Sequence, residues 1–219
     1  MLCSSYLTST VGRKFLVGVS GLALSIFVLT HMLGNLLIFV GPEAYNLYSH
    51  KLVTNPFIYL AETGLLVLFI MHLGLATRLS ILNKCARSTC YAVTPGGDKG
   101  TSLIAKTMWH QGMIILIFIV LHLITFKFGV EYTGYVQDTV VRDIYALVEE
   151  VFRDPYYVSG YLVALLVLGF HLSHGVGSAF RSIGFNHPAY DPKIQLFSKI
   201  YAIVVTVGFM SQPLYLFFT

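Results

Sequence analysis

The sequence predicts an all-α integral membrane protein: a helical bundle of five transmembrane helices with the N-terminus inside. Composition is the first reason. Of 219 residues, 56% are hydrophobic and 11% charged, and mean hydropathy is +0.73, whereas a soluble domain carries about a quarter charged residues. Secondly, five apolar runs are long enough to cross a hydrocarbon core of about 30 Å, which takes roughly 20 helical residues. Thirdly, the basic residues are distributed unevenly among the connections between these runs. One domain, 1–219, is expected at this length. A net charge of +4, thinly scattered, argues against nucleic acid as a partner and is better read as topology information.

The first span is expected at Phe15–Val40 and ends at Gly41-Pro42. Its 26-residue run exceeds the roughly 7–15 of a signal-peptide core, so the N-terminus does not read as a cleaved signal. Asn55-Pro56 precedes the second span, Phe57–Thr77, which holds Glu62, the one acid within the five runs. Thr94-Pro95-Gly96-Gly97 marks the next loop, and the third span is Thr107–Phe126. Asp138–Phe152 mixes apolar and acidic residues and is expected to lie at the surface as an amphipathic helical segment. Asp154-Pro155 opens the fourth span, Tyr156–Phe180, and the fifth is Ile200–Thr219. The runs are continuous rather than alternating, so helices and not barrel strands are expected in the lipid.

Lysine and arginine set the orientation. Arg13, Lys14, Arg78, Lys84, Arg87, Lys99, Lys106, Arg181, Lys193 and Lys199 fall on one side, ten in all. Lys51, Lys127, Arg142 and Arg153 make four on the other, beside acids from Glu131 to Asp154. The richer side is inside, which leaves the C-terminus outside.

Eight histidines stand in this apolar chain, and ionisable groups inside a membrane are costly unless they face the bundle interior. Taken singly, each reads as a hydrogen-bonded interhelical residue. Their depths form a pattern. His31 is 17 residues beyond Lys14 and His122 is 16 beyond Lys106, about 25 Å from the inner boundary at about 1.5 Å per residue. His72 lies 6 residues before Arg78, His171 lies 10 before Arg181 and His174 lies 7 before it, so about 9 to 15 Å from that boundary. His31 and His122 therefore share the outer half, and His72 shares the inner half with His171 or His174.

Two histidines reaching inward from facing helices suit axial ligation of a haem iron by neutral imidazole, and bundle cores hold such cofactors. An iron with both axial positions filled transfers electrons rather than binding oxygen. Two levels predict two haem b groups. Gly175 and Gly34 lie near ligand positions, and are read either as room for a porphyrin or as close helix packing. A zinc or copper site would want ligands at one depth and usually closely spaced within a helix, and His171 and His174 alone have such spacing. Cys3, Cys85 and Cys90 form no framework, and without C-x-x-C-H there is no covalent haem attachment.

The residues around these histidines resemble the cytochrome b membrane-anchor subunit of succinate dehydrogenase and fumarate reductase, in the five-helix, two-haem class. Ser20-Gly21-Leu22 through Phe27 to Thr30-His31-Met32 is similar to the family's first ligand helix. His72-Leu73-Gly74-Leu75-Ala76-Thr77-Arg78 resembles the second, and Val120-Leu121-His122-Leu123 the third. His171-Leu172-Ser173-His174-Gly175 resembles the fourth, whose pattern is H-x-S-x-G. Asn46 to His50, with Pro56-Phe57-Ile58-Tyr59 and Glu62, resembles the first outer connection. The resemblance covers nearly the whole chain, and the joint spacing of the four histidines is its specific element.

The resemblance implies a subunit in the cytoplasmic (inner) membrane, surrounded by lipid, that anchors a flavoprotein subunit and an iron–sulfur subunit on the inner face. It would carry electrons between the iron–sulfur chain and a membrane quinone, menaquinone or ubiquinone, through two haems. The ligand pairs would be His72 with His171 and His31 with His122. Members often have an arginine early in the third span, where this chain reads Trp109-His110-Gln111.

Other residues are candidates for propionate or quinone contacts. His110 is read as a propionate partner or as an interfacial histidine, and His50 as a propionate, quinone or proton-relay residue or as part of a solvated loop. Glu62 is a candidate quinone-linked proton carrier or an acid snorkelling to the interface. Arg78 and Arg181 would bind propionates, dock the partner or serve as topology charge, and His174 would bond a propionate or pack. The fifth span, without histidine, is expected to cover the four-helix core. Two other readings are weighed: a cytochrome b of a hydrogenase or formate dehydrogenase, and a proton-coupled membrane carrier, for which paired repeats and interrupted helices would be expected.

Overall fold

A computed structural model describes residues 9–85, 102–136 and 139–219. It is a bundle of five long helices with a small cap at one end. The first helix, α1 (Thr10–Asn35), begins at Ser9, whose hydroxyl accepts from the Gly12 N–H at 3.1 Å. It continues as a 3-10 turn, Leu36–Phe39, and ends at Gly41, whose φ of 124° only glycine adopts easily. Pro42 then opens α2 (Pro42–Val53) at a position where its missing N–H costs nothing. The remaining helices are α3 (Ile58–Cys85), α4 (Leu103–His122), α5 (Ile144–Phe152), α6 (Pro155–Ser182) and α7 (Asp191–Phe218). A π-helical turn, Leu123–Lys127, extends α4.

All five expected spans are present as helices long and apolar enough to cross a membrane: Thr10–Phe39, Ile58–Cys85, Leu103–Lys127, Pro155–Ser182 and Asp191–Phe218. Each starts or ends beyond the apolar run from which it was read, because polar residues past the lipid boundary continue the helix. The fifth begins at Asp191-Pro192 rather than Ile200. Gly184, with φ 112°, closes α6, and the Phe185 N–H returns to the Phe180 carbonyl at 3.0 Å. The Thr94–Gly97 turn, Cys3, Cys90, Arg87 and Lys99 lie outside the described residues. Cys85 is a free, exposed thiol.

Two expectations about the connections need correction. The first outer connection is not a loop but the twelve-residue helix α2. The Asp138–Phe152 stretch is not helical throughout. Thr139–Arg142 is a strand, β2, paired antiparallel with β1 (Thr133–Val136) in the register Thr133↔Arg142, and only Ile144–Phe152 is helical. The β-branched run Thr139-Val140-Val141 favours the extended pleat over helix. Asp143 then starts α5, its carboxylate accepting from the Ala146 N–H at 3.0 Å.

The cap is fastened at Asn46. Its amide donates to Asp143 at 2.8 Å and accepts from the Tyr145 N–H at 3.0 Å. Beneath lies an apolar cluster of Ile38, Tyr45, Val148, Phe152, Val158 and Leu216, which joins α2 and α5 to the ends of α1, α6 and α7. Arg142 donates to the carbonyls of Lys127 and Val130 at 3.3 and 3.2 Å, capping the end of the π turn.

Neighbour relations in the bundle position the site. α1 packs along α3 and α6, α6 packs along α4, and α4 meets α3 only lightly, closing a four-helix ring. The diagonals of this ring, α1 with α4 and α3 with α6, do not pack backbone against backbone. α7 lies outside the ring against α6 and α1. Its approach to α6 is close where Gly177 faces Ser198: a Cβ there would sit 3.0 Å from Ser198 Oγ. Apolar side chains such as Leu60, Val67, Ile117 and Leu121 point outward from α3 and α4.

Candidate functional site: two diagonal histidine pairs

His31 on α1 and His122 on α4 meet across one diagonal. Their ring centres are 5.9 Å apart and their planes nearly perpendicular, at 87°. Two imidazoles gripping one metal ion, each at about 2 Å, place their ring centres roughly 6 Å apart, so this spacing suits ligation from opposite faces. Aromatic rings enclose the pair. Phe27 stacks on His31 at 5.5 Å and 13°, Phe209 of α7 lies 5.9 Å from it, and Phe118 and Phe126 flank His122 at 5.9 and 5.3 Å.

Each outer histidine has a polar neighbour. Tyr161 Oη of α6 lies 3.2 Å from His122 Nδ1. Asn35 Nδ2 lies 3.4 Å from His31 Nδ1 and donates to the His31 carbonyl at 2.8 Å, while its oxygen accepts from Tyr45 Oη at 2.7 Å. Burial, with Tyr48 nearby, pushes the Tyr45 phenol above its ordinary range, so Tyr45 stays a donor to Asn35.

His72 on α3 and His171 on α6 occupy the other diagonal and lie within electrostatic reach of each other. His72 Nδ1 is 3.1 Å from Ser20 Oγ of α1. His171 Nδ1 is buried and has no hydrogen-bond partner. Glycines border both rings. A Cβ on Gly21 would sit 3.1 Å from His72 Cε1, and one on Gly112 would sit 3.8 Å from His171 Cε1. His174 is half-buried one turn on, within electrostatic reach of His171 and Arg181.

The glycines read from the sequence divide. Gly175 does border His171, with a Cβ 4.0 Å from its Cδ2. Gly34 instead admits Tyr48, whose ring carbons a Cβ would approach to 2.8 Å, so its role is close packing.

The other candidate residues lie apart from the two pairs. Glu62 is ion-paired with Lys127, joining α3 to the π turn of α4. Arg181 donates to the Gly177 carbonyl at 3.2 Å and pairs with Asp191 at 3.6 Å, tying α6 to α7. His50 is half-buried on α2, Arg78 is exposed, and His110 is exposed with its ring edge-on to Trp109 at 5.2 Å. Sequence reasoning assigned no role to Ser20, Asn35 or Tyr161. Asn35 carried a signal, four residues after His31 on the same face, whereas Tyr161 belongs to a different helix from its histidine.

Among the described residues, no three of His, Cys, Asp and Glu converge as a multidentate metal cluster would require. His31 and His122 meet as a pair of rings. Comparison with protein-family models, with curated proteins and with solved structures returned no match.

Proposed function

We propose that this chain is the dihaem cytochrome b membrane subunit of a succinate:quinone oxidoreductase, working in either direction between succinate and a membrane quinone. The observation that carries the reading is the His31–His122 pair. Its rings stand 5.9 Å apart across a diagonal, while three sides of the ring are closely packed and the α3–α4 side is packed lightly. A flat macrocycle needs that arrangement: opposed imidazoles on the diagonal and room between helices edge to edge. His72 and His171 lie within electrostatic reach of each other across the other diagonal, and the orphaned Nδ1 of His171 suits a group held there.

Four axial ligands would then hold two haem b groups, His31 and His122 the outer and His72 and His171 the inner. When bound, each haem supplies a one-electron couple with no open coordination position. The chain's own contribution is positioning and exclusion of water. Phe27, Phe118, Phe126 and Phe209 keep the outer rings in an apolar surround. Ser20 and Tyr161 engage the Nδ1 atoms of His72 and His122, which leaves Nε2 for a ligand.

Arg78, Lys84, Arg181, Lys193 and Lys199 give the inner end a positive face, suited to an iron–sulfur subunit that itself carries a flavoprotein subunit. At the outer end Glu62, ion-paired with Lys127, would accept a proton at Oε2 when a quinol is oxidised nearby. The membrane in this reading is the cytoplasmic membrane.

The test is a reduced-minus-oxidised optical spectrum of the purified membrane protein with haem quantitation. Two b-type haems per chain, co-purifying with flavin and iron–sulfur clusters, is the expected result. A chain lacking b-type bands would end this reading, and two haems with a hydrogenase or formate dehydrogenase partner would redirect it.

A further inference from the structure

We propose that Ser20 is the positioning residue for the inner ligand His72, fixing its imidazole as the Nδ1–H tautomer so that Nε2 carries the ligating lone pair. This deepens the dihaem reading and rests on it.

The argument begins with the single proton of the Ser20 hydroxyl. Ser20 is fully buried, and its Oγ donates back along α1 to the Leu16 carbonyl at 2.8 Å, with the Val17 carbonyl at 3.2 Å. With its proton directed there, Oγ faces His72 Nδ1, 3.1 Å away, as an acceptor. The accepting hydroxyl oxygen therefore calls for a proton on Nδ1. In a neutral imidazole the other nitrogen then has the lone pair.

Gly21 supplies a second, steric point of contact. Because a Cβ there would fall 3.1 Å from His72 Cε1 and 3.5 Å from Nδ1, the ring rests directly on bare backbone. Ser20 and Gly21 thus form a seat on α1 for a ring that projects from α3. The opposite member of the inner pair has no such seat, since His171 Nδ1 is buried without a partner. The inner pair is asymmetric: His72 is oriented by Ser20, whereas His171 Nδ1 meets no hydrogen-bond partner among the described residues.

A hydrogen bond from Nδ1–H to an acceptor raises the basicity of Nε2, which favours the more positive oxidation state of a bound metal. Removing the acceptor should therefore make the inner haem easier to reduce. The experiment is an optical redox titration of the full chain in its membrane complex, comparing wild type with Ser20→Ala, Ser20→Thr and Ser25→Ala. Ser25 is buried on the same helix and bonds back to Leu22 at 2.9 Å in the same way, so it controls for loss of a buried hydroxyl.

In Ser20→Ala the inner component should shift toward easier reduction by about two- to tenfold in its equilibrium, tenfold being about 59 mV for one electron. The outer component should stay in place. Ser20→Thr, which keeps the acceptor, should restore the wild-type value, and Ser25→Ala should move neither component. Selective loss of the inner haem in Ser20→Ala, with the outer retained, also supports the seat. Two wild-type components that both stay in place in Ser20→Ala, or that both shift equally, would overturn the role of Ser20 alone. A wild-type chain with no b-type component would instead remove the dihaem reading on which it rests.

Discussion

Tyr161 Oη lies 3.2 Å from His122 Nδ1, so a side chain of α6 holds a ring that projects from α4. The two helices are neighbours in the ring, and the contact orients His122 toward His31 across the diagonal. Phe118, Phe126 and Phe152 pack around the Tyr161 ring at 4.9 to 6.0 Å, which locks the phenol in place. Tyr161→Phe keeps that packing and removes one hydrogen bond worth about 1 kcal/mol. On the dihaem reading it should shift the potential of the outer haem alone, as measured by redox titration, with haem content preserved.

Ligand replacement should separate the two levels. Alanine at His31 or His122 should abolish the outer b component and leave the inner, and alanine at His72 or His171 should do the reverse. His174→Ala should keep both, because its neighbours are His171 and Arg181 rather than a ring on the opposite diagonal. Low-temperature optical spectra read each outcome. If His31→Ala and His72→Ala removed the same component, the two-level arrangement would fail.

Two glycines should respond in opposite ways. Gly21→Val would drive its side chain into the His72 ring, which a Cβ alone would already approach to 3.1 Å. It should cost the inner component while sparing the outer. Gly64, on the same helix as His72, has open space where its Cβ would be. Gly64→Ala should therefore leave both components and raise thermal stability by about 0.5–1 kcal/mol through helix propensity. Thermal melts with haem spectra distinguish the two effects.

The Glu62–Lys127 pair should matter for turnover more than for stability. Its side chains are 43% and 41% exposed, and an ion pair so placed contributes roughly 0–1 kcal/mol. It nevertheless bridges α3 and α4, the lightly packed side of the ring. Glu62→Gln should leave haem content and melting nearly unchanged, and slow quinone-linked electron transfer severalfold. Equal loss in a quinone-independent assay would place the defect elsewhere.

The depth of the histidines was legible in the chain because depth is a one-dimensional property. The apolar run, the basic residues at its ends and a fixed rise per residue determine it locally. That is why the five spans follow from spacing, as does the shared level of His31 and His122, whereas spacing alone leaves His72 with His171 or His174. Connections were less legible. Thr139–Arg142 pairs with Thr133–Val136 as a strand because β-branched residues prefer the pleat, while the acids that suggested a helix belong only to the part after Asp143.

Rotation about each helix axis and the choice of neighbours were decided by the tertiary structure alone. α3 and α4 are apolar nearly all round, and lipid is as apolar as a core, so no polar face marks which side turns inward. Packing instead decided that α1 and α4 oppose each other across the ring, that Ser20 meets His72, that Tyr161 meets His122 and that Gly34 admits Tyr48 rather than a cofactor. Sequence position by itself determined where along its span each histidine sits. Which partner and which hydrogen bond it finds depends on contacts between distant segments, and these exist only once the helices have packed.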